Sequence, residues 1–160
     1  MNTLIIYATK YGCTEKCAEI LSGKLSGKVD LCNLKTKKVP DLSQYDKVIF
    51  GGSVYMGKIQ KEVSEFCSRN LNVLKDKKVG LFICAMREGD TAETELNTSF
   101  PEELLAKATA KESFGGEFIL KKMSFMDRLI VKKVSKIDKD TSNILEENIN
   151  RFAQLMNNAR

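Results

Sequence analysis

The chain has no histidine and no tryptophan, and only two prolines among its 160 residues. Without histidine it lacks the commonest general acid–base side chain and the commonest zinc ligand, which rules out Ser-His-Asp catalysis and a Cys/His zinc site. Cysteine is present in an odd number: Cys13, Cys17, Cys32, Cys67 and Cys84. The one close pair, Cys13 and Cys17, lies four apart, which is not a zinc-site spacing. The five are expected to be small core hydrophobes in a reducing, cytoplasmic compartment, with no metal bound. No apolar run approaches the roughly 18 residues of a membrane span. The N-terminus opens on a strand pattern instead of a charged segment followed by an apolar one, so no secretory leader is expected. Neither G-x-x-x-x-G-K-[ST] nor a post-strand G-x-G-x-x-G occurs, which removes the nucleotide-triphosphate cradle and the dinucleotide fingerprint. A single domain over residues 1–160 is expected from length.

Charge is present in balance except at one place. Residues 119–139 hold seven basic groups (Lys121, Lys122, Arg128, Lys132, Lys133, Lys136, Lys139) against Asp127 and Asp138. They carry the whole net charge of +5, because the remaining residues hold basic and acidic side chains in equal number. A local basic segment, interleaved with apolar residues, is therefore the feature to explain. Helical spacing puts Met123, Met126, Ile130 and Val134 on one face, with Lys121, Arg128, Lys132 and Lys139 reaching outward. It is either a helix packed on the fold with a solvated basic side, or a docking surface for an anionic membrane, acidic substrate or partner.

Short apolar runs at 3–8, 29–34, 47–53, 78–85 and 112–118 alternate with helical patterns near 14–26, 58–73, 92–110 and 141–158. Such alternation predicts an α/β architecture, a parallel sheet with helices on both faces. Pro40 and Pro101 fall outside the strands, as they must. In an open sheet of this kind ligands bind at the carboxyl ends of the strands, so the loops after the first, third and fourth runs should converge.

Those loops carry the chemistry. Thr9-Lys10-Tyr11-Gly12-Cys13-Thr14 joins the first strand to a helix whose N-terminus can receive an anion, with three hydroxyls as further donors. The bland alternative is a βα turn in which Thr14 caps the helix. After the third strand, Gly51-Gly52-Ser53-Val54-Tyr55-Met56-Gly57 sets an aromatic and a thioether among glycines. After the fourth comes Ala85-Met86-Arg87-Glu88-Gly89. Tyr55, Met56 and Met86 could wall a flat ring or simply pack over loop ends.

T-x-x-G-x-T at 9–14, G-G-S-V-Y-M-G at 51–57 and the spacing to the fourth-strand loop resemble the FMN site of the flavodoxin family, over essentially the whole chain. Within that family the pattern is most similar to flavodoxin-domain proteins related to menaquinone-dependent protoporphyrinogen oxidase. It shares with them the opening strand and loop, the G-x-S-x-x-x-G stretch followed by Glu65-Phe66, and a basic-apolar insert near Asp127-Arg128. The resemblance implies a doubly wound five-stranded parallel sheet of order 2-1-3-4-5. It implies that Thr9, Lys10, Tyr11, Gly12, Cys13 and Thr14 hold the FMN phosphate. Ser53, Val54, Tyr55, Met56 and Gly57 with Ala85, Met86, Arg87, Glu88 and Gly89 would then embrace the isoalloxazine. The chain departs from the usual family pattern in having no aromatic in the fourth-strand loop and in placing Lys10, Lys58 and Arg87 where acidic side chains are common.

Because FMN carries the electrons itself, no side chain need be catalytic. The function implied is an FMN-dependent oxidoreductase, acting on a porphyrinogen-type substrate with a quinone acceptor. The alternatives are a small electron carrier working through a redox partner protein, or a flavin-free interaction domain. A receiver domain is disfavoured because residues 47–53 contain no carboxylate to accept a phosphoryl group. No nucleic-acid motif supports a nucleic-acid partner.

Overall fold

The computed structural model describes residues 1–134 and 139–160. Its sheet is built from β1 (Asn2–Tyr7), β2 (Lys28–Asn33), β3 (Lys47–Tyr55), the two-residue β4 (Lys58–Ile59), β5 (Lys78–Cys84) and β6 (Ala110–Ser113). The order is β2-β1-β3-β5-β6, every neighbouring pair parallel. The five expected strands thus take the expected places, and β4 is an addition that pairs antiparallel with the end of β3.

Side-chain alternation on the central strands decides which helices cover which face. Leu4, Ile6, Val48, Phe50 and Leu81 pack with Val63, Cys67, Leu96 and Leu104. These come from α2 (Lys61–Arg69), α4 (Gly89–Ser99) and α5 (Glu102–Lys107), with the one-turn α3 (Leu71–Leu74) between α2 and β5. On the opposite face Ile5, Tyr7, Ile49 and Phe82 pack with Leu21 of α1 (Cys13–Ser22) and Phe152 of α7 (Glu146–Asn158). There Phe82 stacks on Phe114 at 4.4 Å, and Phe152 meets Phe114 edge-on at 5.2 Å. Each fully buried ring contributes about 1.5–3 kcal/mol relative to exposure.

Several sequence-based boundaries move. The helix expected over 92–110 is two helices, because Pro101 stands at the N-cap of α5 and its ring cannot sit inside a helix. The strand expected over 112–118 divides at Phe114. Its second half, β7 (Gly115–Phe118), leaves the sheet to pair antiparallel with β8 (Thr141–Ile144). Gly115 makes that departure at φ +76°, where Asn143 O comes so close that no Cβ could fit. The helix expected from 141 therefore begins only at Glu146.

Between β7 and β8 lies the basic segment, with α6 (Phe125–Val134) as its helix. Its inner face keeps Met123 and half-buried Ile130 as periodicity suggested but is rotated to take in Asp127 and Val131, whereas Met126 is 65% exposed and shares the outer side with Phe125, 69% exposed. An acidic residue takes the core-facing position because it has partners there, described below. Lys136 and Asp138 lie outside the described residues. Among the described residues no helix is long and apolar enough to cross a membrane.

Candidate functional site

Backbone conformation shapes the first loop. Gly12 adopts φ +97°, with open space where a Cβ would stand, so the torsion and not crowding calls for glycine. Its N–H donates to Thr9 Oγ1 at 2.9 Å. The first helical bond of α1 runs from Lys16 N to Gly12 O at 3.0 Å. The N–H groups of Cys13, Thr14 and Glu15 precede that bond, and no side chain caps the helix. Thr14 is not a cap: it is fully buried, with its Oγ1 2.5 Å from Ser53 Oγ. A positive helix end with uncommitted donors above a left-handed glycine fits a phosphate.

The second loop is a hairpin. β3 continues to Tyr55, turns through Met56 (φ 52°) and Gly57 (φ 78°), and returns as β4 with Tyr55 opposite Lys58. Two consecutive positive φ values are the requirement of a type I′ turn. Met56 at its tip is 66% exposed and reaches the crevice only as its rim. Gln60 Oε1 accepts from Ser53 N at 2.8 Å, which ties the hairpin base to the start of α2.

The third loop divides at Arg87. Ala85 N donates to Gly115 O at 2.8 Å, holding the chain against β7. Gly116 lies so close to Ala85 and Met86 Sδ that a Cβ there would press on both. Ala85, Met86 and Arg87 face a crevice of about 370 Å³ that Val54, Tyr55, Met56 and Gly57 close from the other side. A narrower recess of about 50 Å³ continues it downward past Ser53, Lys10, Tyr11 and Cys13. The three loops thus converge at the carboxyl edge of β1, β3 and β5. Glu88 and Gly89 stand apart. Glu88 accepts from Asn143 Nδ2, and both residues line a different depression, beside Asp90 and Lys111.

Residues distant in the chain complete the crevice. Phe118 of β7 and Ile130 and Val131 of α6 wall it, with Glu95 of α4 behind them. Glu95 Oε2 is buried with no hydrogen-bond partner among the described residues, and burial raises its pKa although Arg87 pulls the other way. Asp127 of α6 reaches across to the first two loops. Its carboxylate accepts from Lys10 Nζ at 2.7 Å, from Tyr55 OH at 3.0 Å and from Tyr11 OH. Burial alone would raise the Asp127 pKa, but the bonds from Lys10, Tyr11 and Tyr55 hold it below the usual carboxylate range. Burial, then the bond to Asp127, pushes the Tyr55 hydroxyl up to about 12. Lys10 also lies 4.5 Å from the Tyr55 ring centroid, so it covers one ring face and leaves the other for a ligand. Its charge is spent on Asp127 and does not stand free beside the slot.

Below the recess three thiols meet. Their Sγ atoms all lie within 4.8 Å of one another, and this closeness lowers the pKa of one thiol, Cys13, while raising those of Cys17 and Cys84. No spacing rule brings Cys84 to Cys13, and none brings Asp127 or Glu95 to the crevice. Only the hydrophobic alternation of Asp127 with Met123 and Val131, at i ± 4, hinted that this acid faces inward.

A family model for the flavodoxin domain matches residues 4–144. No curated protein matches the chain. Oxidised flavodoxin 1 from Bacillus cereus is similar over 100% of this chain and 100% of its own, at 14% identity and a TM-score of 0.62. Two-electron reduced Megasphaera elsdenii flavodoxin is similar over 95% of this chain and 98% of its own, at 17% identity and a TM-score of 0.55. The flavodiiron protein from Giardia intestinalis is similar over 96% of this chain but 35% of its own, at 13% identity and a TM-score of 0.55. This chain therefore spans about a third of the flavodiiron protein. At these identities the likeness to solved structures is one of fold.

Proposed function

The chain belongs to the flavodoxin-domain family, with FMN as its cofactor and electron transfer as its role, and from that premise we propose that it is an oxidoreductase with an organic substrate of its own. When bound, FMN supplies one- and two-electron redox chemistry at the isoalloxazine. The protein's part is to bind and orient it. The open N–H groups at the start of α1, with the Thr9 hydroxyl beside them, would hold the phosphate, while Tyr11 gives its hydroxyl proton to Asp127. The Tyr55 ring and the Ala85–Arg87 loop would wall the isoalloxazine.

The observation that carries the reading is the roof. Ile130 and Val131 close the crevice from above, and Asp127 fastens their helix to Lys10 and Tyr55. A bare shuttle works through an exposed flavin edge, whereas an apolar roof makes a walled recess beside it, suited to a flat apolar molecule. A porphyrinogen as electron donor and a quinone as acceptor are the substrate classes we favour. Anaerobic mixing of the FMN-loaded protein with porphyrinogen, quinones and reduced pyridine nucleotides tests this. Bleaching of the flavin by porphyrinogen and its reoxidation by quinone are expected. Flavin exchanging electrons only with redox proteins would return the chain to the carrier reading.

The outer side of α6 fits a quinone acceptor held in a membrane. Phe125, Met126 and Leu129 are exposed there beside exposed Lys121, Lys122, Lys132 and Lys133. We propose peripheral contact with an anionic bilayer, with attraction of about 1 kcal/mol per basic residue near the surface. Reversing the charge of Lys132 and Lys133 should reduce salt-sensitive sedimentation with anionic vesicles and leave FMN bound. Unchanged sedimentation at low ionic strength would refute the contact. Five free thiols agree with a reducing, cytoplasmic side for that membrane.

A further inference from the structure

We propose that Cys13, Cys17 and Cys84 form a three-thiolate site for one thiophilic d10 cation of the Zn(II) or Cu(I) class. Their three Sγ atoms all lie within 4.8 Å of one another. Metal–sulfur bonds of about 2.3 Å set thiolates about 3.8–4.0 Å apart in tetrahedral or trigonal geometry. Occupation therefore asks for side-chain adjustments of less than about 1 Å, with no movement of the backbone.

The fold delivers the three from two directions. Cys13 and Cys17 stand one turn apart on the inner face of α1, and Cys84 ends β5 on the face it shares with Phe82. All three ligand atoms are sulfur, which disfavours Mg(II) and Ca(II) and leaves sulfur-seeking ions, with the Glu117 carboxylate lining the same recess. An entry path exists, since Cys13 and Cys84 both line the narrow recess below the crevice. A fourth position opens on that recess, where Zn(II) would take a water and Cu(I) needs nothing. The other two thiols supply an internal control: Cys32 and Cys67 lie in the core cluster on the opposite face of the sheet. On binding, each ligating thiol gives its proton to solvent and no electrons move.

The FMN-loaded full chain, purified in reductant, is offered Zn(II) in one arm and Cu(I) in the other, then exchanged against a chelator. Native mass spectrometry should count one ion per chain, and metal-edge X-ray absorption should count three sulfur neighbours, with one added oxygen in the zinc arm only. Cys84→Ser should weaken binding by about 100-fold or more, beyond the loss usual for an outer-shell change, while Cys32→Ser and Cys67→Ser leave it unchanged. Fewer than three sulfur neighbours, no chelator-resistant ion in either arm, or equal loss in the Cys32→Ser variant would overturn the site. The sulfur count on the unaltered protein decides the matter if Cys84→Ser fails to fold. The readout is metal stoichiometry, so it does not depend on whether the flavin oxidises an organic substrate.

Discussion

Replacing Asp127 by Asn should loosen the roof over the crevice without unfolding the sheet. The carboxylate accepts three bonds, from Lys10 Nζ, Tyr11 OH and Tyr55 OH, and its own side chain is only 12% exposed. Hydrogen bonds to a charged group contribute about 1.5–3 kcal/mol and neutral ones about 0.5–1.5 kcal/mol, so each tyrosine bond loses roughly 1 kcal/mol. The lysine pair adds less than its 2.7 Å length suggests, because Lys10 is 42% exposed and solvent screens it. The total is about 2–4 kcal/mol in the docking of α6. At about 1.4 kcal/mol per factor of ten, that is a roughly 30- to 700-fold fall in amide protection. Hydrogen exchange followed by mass spectrometry would read it in residues 125–134, with α7 as the unchanged reference. Equal protection of α6 in parent and variant would show that Asp127 does not fasten it. The pH dependence has a definite sign. A carboxylate whose folded pKa is lowered stabilises the docked state above its unfolded pKa of about 3.9, and the contribution disappears as pH falls through the lower folded value. Protection of α6 in the parent protein should therefore hold from neutral pH down to the ordinary carboxylate range and fail only below it, while the Asn variant shows no such step.

Thr9→Val should weaken FMN about 10- to 100-fold through one lost bond to a charged phosphate, and leave riboflavin less affected; equal losses for both ligands would assign the effect to the broken Gly12–Thr9 bond. Tyr55→Ala should cost about 0.5–1.5 kcal/mol of flavin affinity and relieve fluorescence quenching, whereas Tyr55→Phe keeps the ring and loses only the bond to Asp127; a parent-like Ala variant would move the stacking role to Met86. Gly51→Ala should destabilise the fold by about 1–3 kcal/mol, because the new methyl meets the Phe82 ring, which Phe114 holds from its other side. At about 2–4 °C per kcal/mol for a domain of this size, calorimetry should find a drop of several degrees, and an unchanged midpoint would mean that the ring can move.

The sheet was legible because its signal is local. The apolar runs of Leu4–Ala8, Val48–Phe50 and Val79–Cys84 are short, continuous and bounded by turn residues, and burial on both faces leaves a strand no other pattern to show. The Thr9–Thr14 loop was legible for the same reason, since strand, left-handed glycine and helix start lie within a dozen residues. Two features of the loop were not. Whether Thr14 caps its helix depends on Ser53, thirty-nine residues away, which takes the hydroxyl for itself. Which thioether sits deeper in the slot depends on a two-residue hairpin turn that leaves Met56 exposed at the rim while Met86 is half-buried.

By itself the sequence determined the α/β alternation and the parallel sheet through side-chain periods of two or 3.6 residues, while the strand order came from the resemblance of its loops to the flavodoxin family. Tertiary structure alone decided that α6 turns Asp127 inward, that Glu95 stands behind the slot, and that Cys84 joins Cys13 and Cys17. Those meetings are set by where β7 leaves the sheet at Gly115 and by which face of β5 looks at α1. A contact between residues so far apart in the chain has no period to announce it: it exists only after loop closure has been opposed and outweighed by burial in the core.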